Sequence, residues 1–238
     1  MQKKLNIFIN PQKLPIMKKL FSFILALCAS YVAFAEGSDF QKGIRIAYEP
    51  GFAIDKNYWN YPSQGFSIEF MGAQRISNSK FFVEFGFGTK FTNFKDNALI
   101  FAQDNNLLYE DKIEEKTKYF GLYVPLNLAY EIKLDDNFSI KPYTGFFVRS
   151  NIITRLKQKE YVRVGENHWE HIGTESINLL GNDELGSKKW KLFNIGWQIG
   201  ASLKYKECSF GVAYKLDINE VSRNIRLNNF AFQFGIGI

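Results

Sequence analysis

Cysteine is nearly absent: the chain of 238 residues holds two, Cys28 and Cys208. The first lies in an N-terminal segment read below as cleaved, which leaves one thiol and excludes an intrachain disulfide. Beyond that segment charges or glycines interrupt every apolar stretch, so a transmembrane helix of ~20 residues is excluded as well. Acidic residues are missing from the first 35 positions, where Lys3, Lys4, Lys13, Lys18 and Lys19 stand. Removing those five from the 30 Lys and Arg leaves 25 against 24 Asp and Glu, so the formal charge of +6 belongs to the leader. A nucleic-acid partner loses its main support with it. Helical periodicity is also lacking throughout, and only two histidines are available for chemistry.

The leader has the parts of a secretory signal peptide. Met17-Lys18-Lys19 supplies a positive start, Leu20 to Ala29 an apolar run too short to span a bilayer, and Ala33-Phe34-Ala35 a small-x-small cleavage site. Translation is expected to begin at Met17, with the residues before it an upstream mis-start or an extended positive region. A lipoprotein reading centred on Cys28 is weaker, because Leu27 stands where a small residue is expected. The expectation is a signal peptide over 1–35 and one domain over 36–238, with no linker or composition shift inside it.

Alternation fills that domain. In KFFVEFGFGTKF from Lys80, Phe81, Val83, Phe85, Phe87 and Phe91 share one face, and Glu84, Gly86, Gly88 and Lys90 share the other. This is the period of a β-strand. Eight such segments recur: Gly43 to Ile54, Gly65 to Met71, Phe81 to Phe94, Lys118 to Ile132, Phe138 to Arg149, Leu192 to Tyr205, Cys208 to Ile218 and Asn229 to Ile238. Their connections alternate in length. DKNYWNYPSQ, Lys95 to Glu115, Asn151 to Lys189 and NEVSRNIRLN are longer; GAQRISNS, KLDDN and KE are shorter. An up-and-down barrel with short turns at one end and long loops at the other gives that pattern; a sandwich with crossing connections has no reason to sort loops by parity.

The two faces fix the orientation. Gly86, Gly88, Gly121, Gly145, Gly196, Gly200, Gly211, Gly235 and Gly237 fall on the polar faces. A solvated strand face gains nothing from glycine, whereas a narrow eight-stranded lumen needs the space. The same faces carry Arg45, Lys90, Lys141, Arg149, Lys204 and Lys215 against Glu49, Glu69, Glu84, Glu131 and Asp217. Near-balanced charges enclosed together must pair, so a cross-linked, largely plugged lumen is expected. The opposite faces are apolar, as in Phe120, Leu122, Val124, Leu126, Leu128 and in Phe193, Ile195, Trp197, Ile199, Leu203. They are expected to meet lipid, with Tyr130, Tyr205 and Phe138 in an interfacial girdle by the short turns. The fold expected is all-β: an eight-stranded antiparallel up-and-down transmembrane β-barrel.

YVPLNLAYEI from Tyr123, IKPYTGFF from Ile140 and the terminal FAFQFGIGI give the chain a family likeness. It resembles the small eight-stranded outer-membrane β-barrels, OmpA/OmpX-like and, closer in flavour, PorT-like. The resemblance implies a Gram-negative outer-membrane location, contact with outer-membrane lipid, and delivery by the assembly machinery through the last strand. Such strands usually end in an aromatic residue, and Ile238 departs from that.

No residue is predicted as catalytic, cofactor-binding or metal-ligating. NHWEH from Asn167 sets His168 and His171 beside Glu166 and Glu170, a possible zinc or copper set by residue type. They fall in the longest expected loop, where nothing fixes their spacing, and a solvated loop outweighs a metal site. A hydrolase or acyltransferase of the envelope needs a nucleophile with a base in reach, and both histidines sit in that one loop. The leading expectation is therefore a non-enzymatic barrel with a structural or surface-interaction role. Its contact surface is placed on the Asn151 to Lys189 loop with Tyr161, Trp169 and Trp190. The resemblance adds an alternative, a PorT-like accessory of protein secretion working through other envelope proteins; a small-solute channel or a lipid-modifying enzyme is a third.

Overall fold

The computed structural model describes residues 40–55, 60–104, 107–164, 168–180, 190–222 and 224–238. The proposed leader lies outside these, as do Glu166 and Asn167. The strands are β1 (Phe40–Asp55), β2 (Asn60–Arg75), β3 (Phe81–Asp104), β4 (Leu107–Tyr130), β5 (Ile132–Lys133), β6 (Phe138–Arg163), β7 (Trp169–Asn178), β8 (Phe193–Tyr205), β9 (Cys208–Asp217) and β10 (Ile225–Gly237). Neighbours follow the order β4-β3-β2-β1-β10-β9-β8-β6, and β6 returns to β4, closing a ring of eight. The terminal strands β1 and β10 pair antiparallel from Gly43 opposite Gly237 to Asp55 opposite Ile225. The chain is thus an eight-stranded antiparallel up-and-down β-barrel, and each of the eight alternating segments supplies one of its strands. Closure matters because an open sheet would leave unpaired backbone groups in hydrocarbon.

Side chains sort as the alternation requires. Outward positions carry Phe66, 61% exposed, Phe146, 57%, and Phe230, 56%, a belt of aromatics and aliphatics that water would not tolerate. Cross-strand aromatic pairs mark the short-turn end, with ring centroids 4.9 Å apart for Phe81 and Tyr130 and 4.5 Å for Phe138 and Tyr205. The belt and its girdle make this a transmembrane barrel.

Three expectations are corrected. The second segment runs from Asn60 to Arg75 rather than Gly65 to Met71. The Lys95 to Glu115 connection is a continuation of strand: β3 and β4 stay in register from Phe94 opposite Thr117 to Asp104 opposite Leu107. Likewise β6 runs on to Arg163 and turns back as β7, which among the described residues pairs with β6 alone. Alternation does not reveal these extensions, because it lapses there into polar runs such as EEKTK and apolar runs such as ALIFA while the backbone ladder persists. One β-bulge sits where β6 leaves the belt. Gly121 opposes Asn151 and Phe120 opposes Ile153, leaving Ile152 unpaired. The extra residue shifts the inward face of β6 from Arg149 and Asn151 to Thr154 and Leu156.

Candidate functional site

Every charge that parity placed inside is inside. Glu49, Glu69, Glu84, Lys90, Glu131, Lys141, Arg149, Lys215 and Asp217 are buried, and Arg45 and Lys204 are half-buried. They form layers along the barrel axis. At the short-turn end Arg75 lies 3.8 Å from Glu131 and Arg45 3.8 Å from Glu84. Lys141 donates to Gln41 at 2.8 Å with its ammonium 4.3 Å above the Phe82 ring. In the middle, Glu49 bridges two strands by pairing with Lys90 on β3 and with Lys215 on β9, the latter at 2.7 Å. Lys215 also reaches Glu69 at 3.6 Å and stands 4.5 Å over Tyr123. The Ser67 hydroxyl lies 3.0 Å from both Glu49 and Glu69, so its one proton serves either carboxylate. A neutral chain crosses the same depth: Tyr123 donates to Gln198 at 2.7 Å, and Gln198 donates to Asn127 at 2.6 Å. Nearer the long hairpins Arg149 pairs with Asp217 at 2.8 Å and lies 5.2 Å over Tyr119.

Such pairs connect non-neighbouring strands across the lumen, and each charge is costly there unless matched. Glycine makes room for them and for the rings beside them. Phe147 on β6 reaches over Gly196 on β8, its register partner, where a Cβ would collide with the ring. Tyr143 covers Gly200 in the same way, with Cζ 2.7 Å from where a Cβ would stand.

Above the Arg149–Asp217 pair the inward residues turn apolar. Ala53, Phe94, Tyr119, Leu156, Leu179, Trp190, Val221 and Leu227 form one buried cluster. Trp190 stacks on Phe94 with ring centroids 6.1 Å apart and meets Tyr119 at a tilt at 5.3 Å. Its backbone N–H donates to Leu179 at 2.9 Å, and the next N–H, of Lys191, donates to Val221 at 2.8 Å. Trp190 was expected on the contact surface; it is 4% exposed and faces inward instead. The signal for this cap is in the sequence, since Phe94, Tyr119 and Leu227 continue the inward parity of their strands past the last charge. The inward turn of Trp190 has no such signal.

The histidines are placed on the β6–β7 hairpin, which corrects the expectation of an unstructured loop. His171 lies on β7 opposite Tyr161, with the two rings edge-on at 5.3 Å, and its Nε2 is 2.8 Å from the Thr174 hydroxyl. The His168 carbonyl accepts from Val164 at 2.9 Å in the turn. Glu170 is exposed opposite Val162. Among the described residues no three His, Cys, Asp or Glu side chains gather as a metal-holding group. Tyr161 leans on this hairpin's neighbour, donating to Glu114 at 3.4 Å, and Trp169 is half-buried.

No protein family and no curated sequence matches the chain. Solved structures do. Ail, the attachment invasion locus protein of Yersinia pestis, is 10% identical with a TM-score of 0.39, covering 84% of this chain and 99% of that one. Neisserial surface protein A is 15% identical at a TM-score of 0.35, over 84% and 99%. The translocator domain of the autotransporter NalP from Neisseria meningitidis is 8% identical at 0.27, over 95% and 98%. The barrel assignment rests on this chain's own ring of strands.

Proposed function

We propose that this chain is a non-enzymatic outer-membrane protein whose barrel is a closed mount for its long hairpins, which make the contacts that constitute its role at the cell surface. The observation that carries this reading is the content of the lumen. Ion pairs link β1, β2, β3 and β9 at mid-depth, and an apolar cluster of eight buried residues lies over them. A hydrated solute path needs a continuous polar column, and these two layers interrupt it by different means. The strands of the β3–β4 and β6–β7 hairpins continue beyond the lipid-facing belt as one paired sheet, since β4 pairs β6 up to Asp111 opposite Val162. That sheet offers a rigid outer surface, which suits binding better than turnover.

Purified barrel reconstituted into planar bilayers tests the reading. No sustained conductance is expected at moderate voltage, and steady open-channel currents would overturn it in favour of a channel. The surface role is tested separately by deleting residues 157–176, the outer part of the β6–β7 hairpin. Surface binding should be lost while the barrel still inserts.

A further inference from the structure

The outer wall changes character abruptly on one side of the barrel. Phe91, Phe120 and Ile153 stand side by side on β3, β4 and β6 as the last apolar row. Two residues further out, about 7 Å at strand rise, Asn93, Lys118, Arg155 and Asn178 form the next row. Another step out the row is Lys95, Lys116, Lys157 and Ser176, and beyond it Lys159 opposes Glu114. The intervening residues Phe94, Thr117, Tyr119, Thr154 and Leu156 are buried inside, so all six basic side chains share the outward face. They line one cleft of about 580 Å³ together with Glu114, Glu115 and Ser176.

Like charges set directly opposite one another on adjacent strands destabilise a sheet. Here three lysines follow in one register across three strands. The ammonium of Lys116, clear of the apolar belt, is held below its ordinary pKa by desolvation and by the charges of Lys118, Lys95 and Lys157. Glu114 does little to relieve this, being engaged by Lys112 at 2.7 Å and by the Tyr161 hydroxyl at 3.4 Å. The arrangement is favourable where opposite charge is supplied from outside the protein. Its place decides the source. The rows begin one step past the last lipid-facing ring, which is the depth of the headgroup phosphates of the surrounding leaflet.

We propose that the outward face of the β3–β4–β6 sheet, through Lys95, Lys116, Lys118, Arg155, Lys157 and Lys159, binds the phosphate groups of anionic glycolipids in the leaflet around the hairpin end. The site fixes the depth of the barrel and gathers phosphorylated lipid on one side of it. This rests on the membrane reading above, and insertion is measured separately below.

The test uses the full mature barrel in phosphatidylcholine nanodiscs doped with either diphosphorylated lipid A or enzymatically dephosphorylated lipid A, with retained lipid counted by native mass spectrometry. A Lys95→Gln, Lys116→Gln, Lys157→Gln variant is run in parallel. Its fold is secure, because the change removes repulsion, and heat-modifiable gel mobility reports insertion for both proteins. Wild type should retain the phosphorylated lipid selectively, and the triple variant should weaken that retention by roughly a hundredfold. Equal retention of the dephosphorylated lipid, or an unchanged triple variant, overturns the proposal. So does displacement of the lipid by millimolar inorganic phosphate, which would make this a site for soluble anions. Failure of wild type to insert would instead sink the membrane reading.

Discussion

Glu49 shows how much a single residue is asked to do inside a narrow barrel. One carboxylate on β1 compensates two ammonium groups, Lys90 and Lys215, that approach from opposite sides of the lumen. Glu49→Gln leaves both cations short of a partner where water is scarce, and the expected loss is about 3–5 kcal/mol. Urea unfolding in lipid vesicles, followed by tryptophan fluorescence, measures it. Replacing Glu49 and Lys90 together by leucine should cost much less, because Lys215 keeps Glu69 at 3.6 Å and no isolated charge remains. If the double variant is as damaged as the single one, the layer is held by packing rather than by charge balance. A second residue works in the other direction. Lys206 opens the two-residue turn between β8 and β9 with φ of 51°, a left-handed backbone that glycine adopts freely. Lys206→Gly is expected to stabilise by about 0.5–1 kcal/mol in the same assay.

Elements show where alternation informs and where it stops. Within the belt each strand has lipid on one side and a crowded lumen on the other, so one period-two pattern specifies both. That is why β8 was legible from Phe193, Ile195, Trp197 and Ile199 alone, and why Gly196 and Gly200 could be assigned inward. Gly196→Ala tests the assignment, because the new methyl meets the Phe147 ring. A cost of about 1–3 kcal/mol is expected from the displaced ring, while alanine at an outward position such as Val212 should cost far less. Beyond the belt hydrocarbon no longer dictates the outward face, strict alternation lapses, and IEEKTK from Ile113 reads as loop although it is strand. Only the hairpin partner reveals it, and pairing is a non-local fact. The bulge at Ile152 is equally silent: it swaps the inward set of β6 without changing composition. The cationic rows follow from both effects at once, since they need the hairpin register and the shifted parity of β6 to fall side by side.

At the scale of the whole molecule, closure brings Gly43 against Gly237 and creates a lumen whose two ends differ in chemistry. Charge pairs fill it from the short-turn end to Arg149 and Asp217, and apolar side chains fill it above them. Under the closed-mount reading proposed above, the two layers would oppose permeation by separate mechanisms, desolvation in the apolar cap and bulk plus cross-linking in the charged section, so neither would need the other to hold. Removing the cap alone should therefore not open a pore. Trp190→Ala vacates the centre of the cluster, at a cost of about 3–5 kcal/mol for a buried tryptophan, yet planar-bilayer recordings should stay silent. Combining it with Glu49→Ala, Lys90→Ala and Lys215→Ala removes the middle layer as well, and brief, cation- or anion-permeable steps are then expected. Sustained current in the Trp190→Ala variant by itself would show that the ionic layer is penetrable and that the apolar cap alone keeps the barrel shut. The mount would then be a gated channel, with the cluster around Trp190 as its gate.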